Sequence, residues 1–246
     1  YVWDINGRKY IDFSCGIFVT NVGHSHPDVI KAIHWQLKKM THNYIFPSEI
    51  RAKLVKKLIE ITGFEKILLT VTGSEANEAA LQIMLRNRPS GRVLSIQGAY
   101  YGSTSGMRQL NDGNLHEDSF PSGGDGHDVA GIFLQCFRGR DAKWMPYNWV
   151  RAWQIWAKQR DIPIAFDEMQ SGIGRTGKWF GYQYYDISPD LVCVGKGLGA
   201  GLPITCVLGS AKLMKFSDDL WSTHTGNPLS CASALASLEI IEKEHL

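Results

Sequence analysis

The stretch PDLVCVGKGLGAGLPITCVLG, residues 189–209, sets two short apolar runs, LVCV (191–194) and ITCVLG (204–209), around a glycine-rich turn. Runs this short and this continuously apolar read as strands buried on both faces, as in a sheet covered by helices. One lysine, Lys196, stands in the turn between Gly195 and Gly197. Burying an ammonium without a partner is costly, so the placement asks for a reason.

The same pattern extends outward. KILLTV (66–71), RVLSIQ (92–97), AGIFLQ (130–135) and PIAFDE (163–168) read as further buried strands. Between and after them, residues 74–87, 149–160 and 228–245 carry helical spacing. Upstream, YVWDINGRKYIDF reads as a hairpin about Asn6-Gly7. Helices are expected over 28–40, after Pro27, and over 48–61 with Ser48 as N-cap. Residues 102–128, rich in Gly, Asp and Ser, read as a long loop. Strands alternating with helices predict an α/β fold with a mostly parallel central sheet flanked by helices. The expected division is 1–47 as an N-terminal segment of hairpin plus helix, and 48–246 as the large domain.

Composition narrows the function classes. With 26 basic and 24 acidic residues among 246, the net charge of +2 gives no reason to expect nucleic acid or an anionic membrane. No apolar run approaches the roughly 18 residues that span a bilayer. Five scattered cysteines, never in CxxC spacing, read as free thiols of a reducing, cytoplasmic setting with no metal site. His24 and His26 in GHSHP lack a third ligand nearby. Trp149, Trp153 and Trp156 follow helical spacing and read as core or interface packing. GIGRTG (172–177) lacks the strand-loop-helix context of a nucleotide loop; Arg175 there reads as a loop organiser able to pair with an acid.

Three places carry chemistry. Thr72-Gly73-Ser74-Glu75-Ala76-Asn77 follows a strand and opens a helix, where free amides and the helix dipole favour a phosphate. The plainer alternative is an ordinary start with Ser74 as cap. Asp167 and Glu168 end an apolar strand, where α/β sheets bind ligands; Asp167 suits a cationic ligand atom, or else a local cap or a pair with Arg175. Lys196 is either a loop lysine in water or an amine whose pKa an apolar site lowers, making it nucleophilic. Phosphate cradle, carboxylate and nucleophilic lysine together are the parts a pyridoxal phosphate site needs.

The ordered set GRKYIDFSCGI, NVGHSHPDVIKAI, TVTGSEANEAAL, GAYYGST, FDEMQSGIGRTGKWFG, PDLVCVGKGLGAGLP and STHTGNPLSCASALA resembles the class III pyridoxal-phosphate aminotransferases of fold type I, over nearly the whole chain. The resemblance implies the large domain of that fold, with part of an N-terminal small-domain segment. It implies a Schiff base at Lys196, Asp167 at the ring nitrogen and Gln170 near the ring hydroxyl. Gly73 and Ser74 would hold the phosphate, Tyr100 would stack on the ring with Tyr101 beside it, and Thr223 would reach the partner subunit's cofactor in a homodimer. The freed lysine would act as general base at the substrate Cα. An amino donor and a carbonyl acceptor, a 2-oxo acid or aldehyde, would be the substrates. An amino-acid racemase or epimerase of the same fold, and a catalytically inactive subunit, stand as alternatives.

The chain departs from the family pattern in four ways. Gln135 replaces the usual acid, which is expected to change the charge facing the substrate. Tyr101 stands where the family commonly has His. The 102–128 segment is shorter than the family's. The C-terminal small domain, which usually supplies substrate-carboxylate contacts, is expected to be absent from these residues. Ile17 and Phe18 are expected to line the substrate pocket.

Overall fold

A computed structural model describes residues 1–122 and 124–246. The opening hairpin pairs β1 (Val2–Trp3) with β2 (Lys9–Tyr10) across Gly7, whose φ of +78° needs a residue without a Cβ. A short helical turn, α1 (Cys15–Phe18), leads to α2 (Pro27–Leu37) and α3 (Glu49–Thr62). His26 caps α2, its ring nitrogen accepting from the Asp28 amide. α2 stops three residues short of the expected 40, and the Ser48 side chain makes no capping bond. Leu54 and Leu58 of α3 are fully buried, stabilising the fold by about 1.5–3 kcal/mol each.

The rest alternates: β3 (Lys66–Thr70), α4 (Gly73–Asn87), β4 (Arg92–Ser95), α5 (Ser105–Asn111), β5 (Val129–Gln135), β6 (Phe137–Arg138), β7 (Lys143–Trp144), α6 (Tyr147–Lys158), β8 (Ile164–Asp167), β9 (Leu191–Val194), β10 (Thr205–Gly209) and α7 (Pro228–Glu244). Six strands form the central sheet in the order β3-β10-β9-β8-β5-β4. β4, β5, β8 and β9 run parallel, and β10 is antiparallel to both neighbours. The sheet is therefore mostly parallel, as its apolar runs predict, and β5, β8, β9 and β10 are buried at every position.

The 102–128 segment differs from the expected loop. It holds α5, and Leu115 bridges to Ile96 beside β4. Trp149 of α6 pins the segment by donating its indole N–H to the His116 and Ser119 carbonyls. Gly123, inside the expected loop, lies outside the described residues.

Candidate active site

The first helical turn of α4 sets one wall of the site. Its cap is Thr72, not Ser74: the Thr72 hydroxyl accepts from the Glu75 amide, and the Glu75 carboxylate accepts from the Thr72 amide in return. The T-x-x-E spacing was visible in the sequence. The amides of Gly73 and Ser74 have no hydrogen-bond partner among the described residues. The Ser74 hydroxyl accepts from the Ser103 amide at 3.0 Å, which leaves its own proton to give. A Cβ on Gly102, at φ +145°, would lie 2.5 Å from that hydroxyl, so glycine lets the 102–103 backbone close over it.

The carboxyl end of β8 supplies Asp167, 4% exposed. Its Oδ1 accepts from the Met169 amide at 2.9 Å. Its Oδ2 accepts from Gln135 Nε2 at 2.8 Å and from Asn77 Nδ2 at 3.0 Å. Burial pushes the carboxyl above its usual value, while the Met169 amide, the Lys196 charge and the two side-chain amides oppose that. Gln135 and Asp167 lie directly opposite in the β5–β8 register, so they share a sheet face and an end. Gln135 therefore gives its amide N–H to Asp167 at the wall of the cleft that both residues line.

Lys196 leaves β9 through Gly195 in the left-handed region, at φ +43°. Such a conformation costs a non-glycine residue about 1–3 kcal/mol and persists where the surroundings hold it. Here Ser233 and Ser237 of α7 donate to the Gly199 and Gly197 carbonyls at 2.6 and 3.2 Å. The flanking glycines serve packing: a Cβ on Gly195 would meet Met169 and Thr205 at 2.5 Å, and one on Gly197 would collide with the Asn21 amide. Burial lowers the Lys196 pKa, against the pull of Asp167. The amine makes no hydrogen bond or ion pair among the described residues.

Gly73, Ser74, Tyr100, Asp167, Gln170 and Lys196 line one cleft of about 250 Å³. Tyr100 is half exposed at its mouth. Tyr101 lines the cleft too, but its phenol runs into the core, donating to the Phe133 carbonyl and accepting from the Ile96 amide. Thr223 is exposed and outside the cleft. Phe18 lies edge-on to Phe137, which lines the cleft, whereas Ile17 is exposed. Arg175 pairs with the Asn21 amide and lies over Phe18; among the described residues it has no acidic partner. A larger cavity, about 890 Å³, opens at the amino ends of β8 and β9 around Asp161, Asp190 and Lys212. It lacks the convergent groups of the smaller cleft.

The sequence matches the family described as Aminotransferase class-III over residues 1–122 and 125–246. The chain belongs to the class III aminotransferases. It is 32% identical to the acetylornithine aminotransferase of Methanocaldococcus jannaschii, covering 98% of this chain and 68% of that protein. It resembles the S-selective transaminase from Arthrobacter sp. with a TM-score of 0.90 at 25% identity, over 98% of this chain and 65% of the other. The ornithine aminotransferase of Toxoplasma gondii matches with a TM-score of 0.88 at 27% identity, over 98% and 65%. The chain thus spans about two thirds of the length of these relatives.

The class III cleft fits pyridoxal phosphate on its own chemistry. Two free amides and a hydroxyl at the start of α4 suit a phosphate. A buried carboxylate suits a ring N–H, and a half-buried amine without a partner among the described residues suits an aldehyde. Gln170 lines the same cleft, and its Oε1 is buried without a hydrogen-bond partner, as an acceptor awaiting a donor. Sequence reasoning gave Asn77 no role, although four residues after Gly73 it stands on the same face of α4. It named Glu168 at the strand end without a role of its own; the fully buried carboxylate accepts from the Gly181 and Tyr182 amides, Ser171 Oγ and Cys136 Sγ.

Proposed function

We propose that this chain is the cofactor-binding part of a pyridoxal-phosphate-dependent aminotransferase that moves an amino group from an amino donor to a 2-oxo acid or aldehyde. The observation that carries the reading is the convergence of Lys196, Asp167 and the free amides of Gly73 and Ser74 on one cleft. Gly73 and Ser74 would hold the phosphate, Asp167 the ring nitrogen, Gln170 the ring hydroxyl and Lys196 the aldehyde carbon. Tyr100 would cover the ring face, with the Tyr101 backbone behind it. When bound, the cofactor supplies an electron sink for negative charge at the substrate Cα.

The protein's own part is proton handling and exclusion of water. Burial lowers the Lys196 pKa toward the neutral amine, and the freed amine would take a proton from the substrate Cα and return one to the cofactor side. Asp167, held by three donors, would keep a proton on the ring nitrogen.

The reading includes a homodimer with shared sites. Thr223 stands exposed beside Trp221, whose ring packs on the exposed Tyr44, an apolar pair that suits a second copy. Five free cysteines support the cytoplasmic setting. Residues 1–47 are taken as a segment apart from the 48–246 domain. Among the described residues no helix is long and apolar enough to cross a membrane.

The test is addition of pyridoxal phosphate to the protein, followed by an amino donor and 2-oxoglutarate. Acetylornithine and ornithine come first among donors, because relatives are named for them. A visible absorbance band that Lys196→Ala abolishes, together with turnover, supports the reading. A band without turnover or racemisation would sink it, and racemisation without transfer would favour an epimerase.

A further inference from the structure

Asp167 is gripped by two primary amides, and each amide is itself tied to the backbone. Gln135 Nε2 donates to Asp167 Oδ2 and to the Tyr100 carbonyl, both at 2.8 Å. Asn77 Nδ2 donates to the same oxygen at 3.0 Å and to the Tyr101 carbonyl at 2.7 Å. A primary amide nitrogen carries two hydrogens, so both amides are fully used. Their orientation is forced. A reversed Gln135 would set its oxygen against two acceptors, the carboxylate and the Tyr100 carbonyl. Asn77 Oδ1 is buried and unpartnered, so its contribution lies on the donor side.

Everything bonded to Asp167 donates: two side-chain amides and the Met169 N–H. No neighbour offers an acceptor to a protonated carboxyl, so the arrangement selects the ionised form. The same nitrogens bind consecutive carbonyls of the turn that carries Tyr100. We propose that Gln135 and Asn77 are positioning residues, an amide clamp that holds Asp167 as an ionised acceptor and locks the Tyr100–Tyr101 turn to it. The inference rests on the reading that this cleft binds pyridoxal phosphate.

Gln135 gains meaning from its neutrality. A glutamate there would bring a second negative charge against Asp167, and the two carboxyls would share a proton. The titratable groups facing Asp167 are Lys196 beyond β9, Cys193 of β9, Cys136 beyond β5 and Tyr101. Burial pushes both thiols and the phenol up, so they stay neutral, and Lys196 is the single charge among these four.

The test loads the full chain with pyridoxal phosphate labelled with ¹⁵N in the ring and follows the ring-nitrogen shift with pH. The parent protein should hold the ring proton across the neutral range. Gln135→Leu should lose it at a pH lower by about one unit and bind the cofactor roughly tenfold more weakly. Asn77→Leu provides a second route if Gln135→Leu does not fold. It should show the same defect, because Asp167 Oδ2 again loses one of its two side-chain donors. A merely structural role would lower the melting temperature without moving this titration. Parent-like ring titration in a folded Gln135→Leu or Asn77→Leu protein overturns the clamp while leaving the site reading standing. Absence of any bound-cofactor signal in the parent overturns both.

Discussion

Asp167 and Glu168 are neighbours at the end of β8, both buried, and burial raises both of their pKa values. They differ in what meets them. Glu168 points into protein and takes four donors, from Gly181, Tyr182, Ser171 and Cys136, across its two oxygens. Asp167 points into the cleft and takes three, with Lys196 facing it. Alternation along a strand sends adjacent side chains to opposite faces, so one acid serves the site and the other the fold. A strand end is a chemical site only on the face that opens to a cleft.

The largest expected effect separates the two by activity. Asp167→Asn should lower transamination by roughly 10²–10³-fold, the scale seen when a preorganised charge partner is lost. Its unfolding midpoint in urea should fall as well, because the new amide nitrogen faces donors that the carboxylate accepted. Glu168→Gln should cost stability alone. A nitrogen facing donors leaves buried groups unpaired, at a cost of about 1–3 kcal/mol in urea unfolding, while the folded fraction keeps near-parent kcat. If Glu168→Gln lost activity with unchanged stability, the division of labour would be wrong.

Smaller changes sharpen the same contrast. Ser171→Ala removes one donor to Glu168 and should cost about 0.5–1.5 kcal/mol with no change in cofactor affinity. The smallest effect concerns Lys196, the cation on the Asp167 side. Its folded pKa lies below the ordinary lysine value of 10.5 because of burial. Between those two values the unfolded chain binds the proton and the folded chain does not. Stability of the cofactor-free protein should therefore rise as pH climbs through that window. Lys196→Met should lack this rise when urea unfolding is compared across alkaline pH, whereas Glu168→Gln should keep it.

Much of this site was legible because its signals are local. The end of an apolar run placed Asp167 and Lys196, and the strand-to-helix change placed Gly73 and Ser74. The capping box was readable too, since Thr72 and Glu75 stand three apart. The long segment at 102–128 misled because its order comes from elsewhere: Trp149 and the Ile96 bridge hold residues whose own composition favours a loop. Tyr101 could not be assigned from its place beside Tyr100, because the packing of β5 decides which of two adjacent rings turns inward.

The amino-acid order by itself determined the elements, the strand ends and the types of group gathered there, since each depends on periodicity over a few residues. Only the tertiary structure decided the partners. Gln135 meets Asp167 because β5 and β8 pair in that register, 32 residues apart in the chain, and Asn77 reaches the same oxygen from across 90 residues. Those distances in sequence carry no periodic trace. They are closed by hydrogen bonding along the sheet and by the burial of α4 against it, forces that act between segments rather than within them.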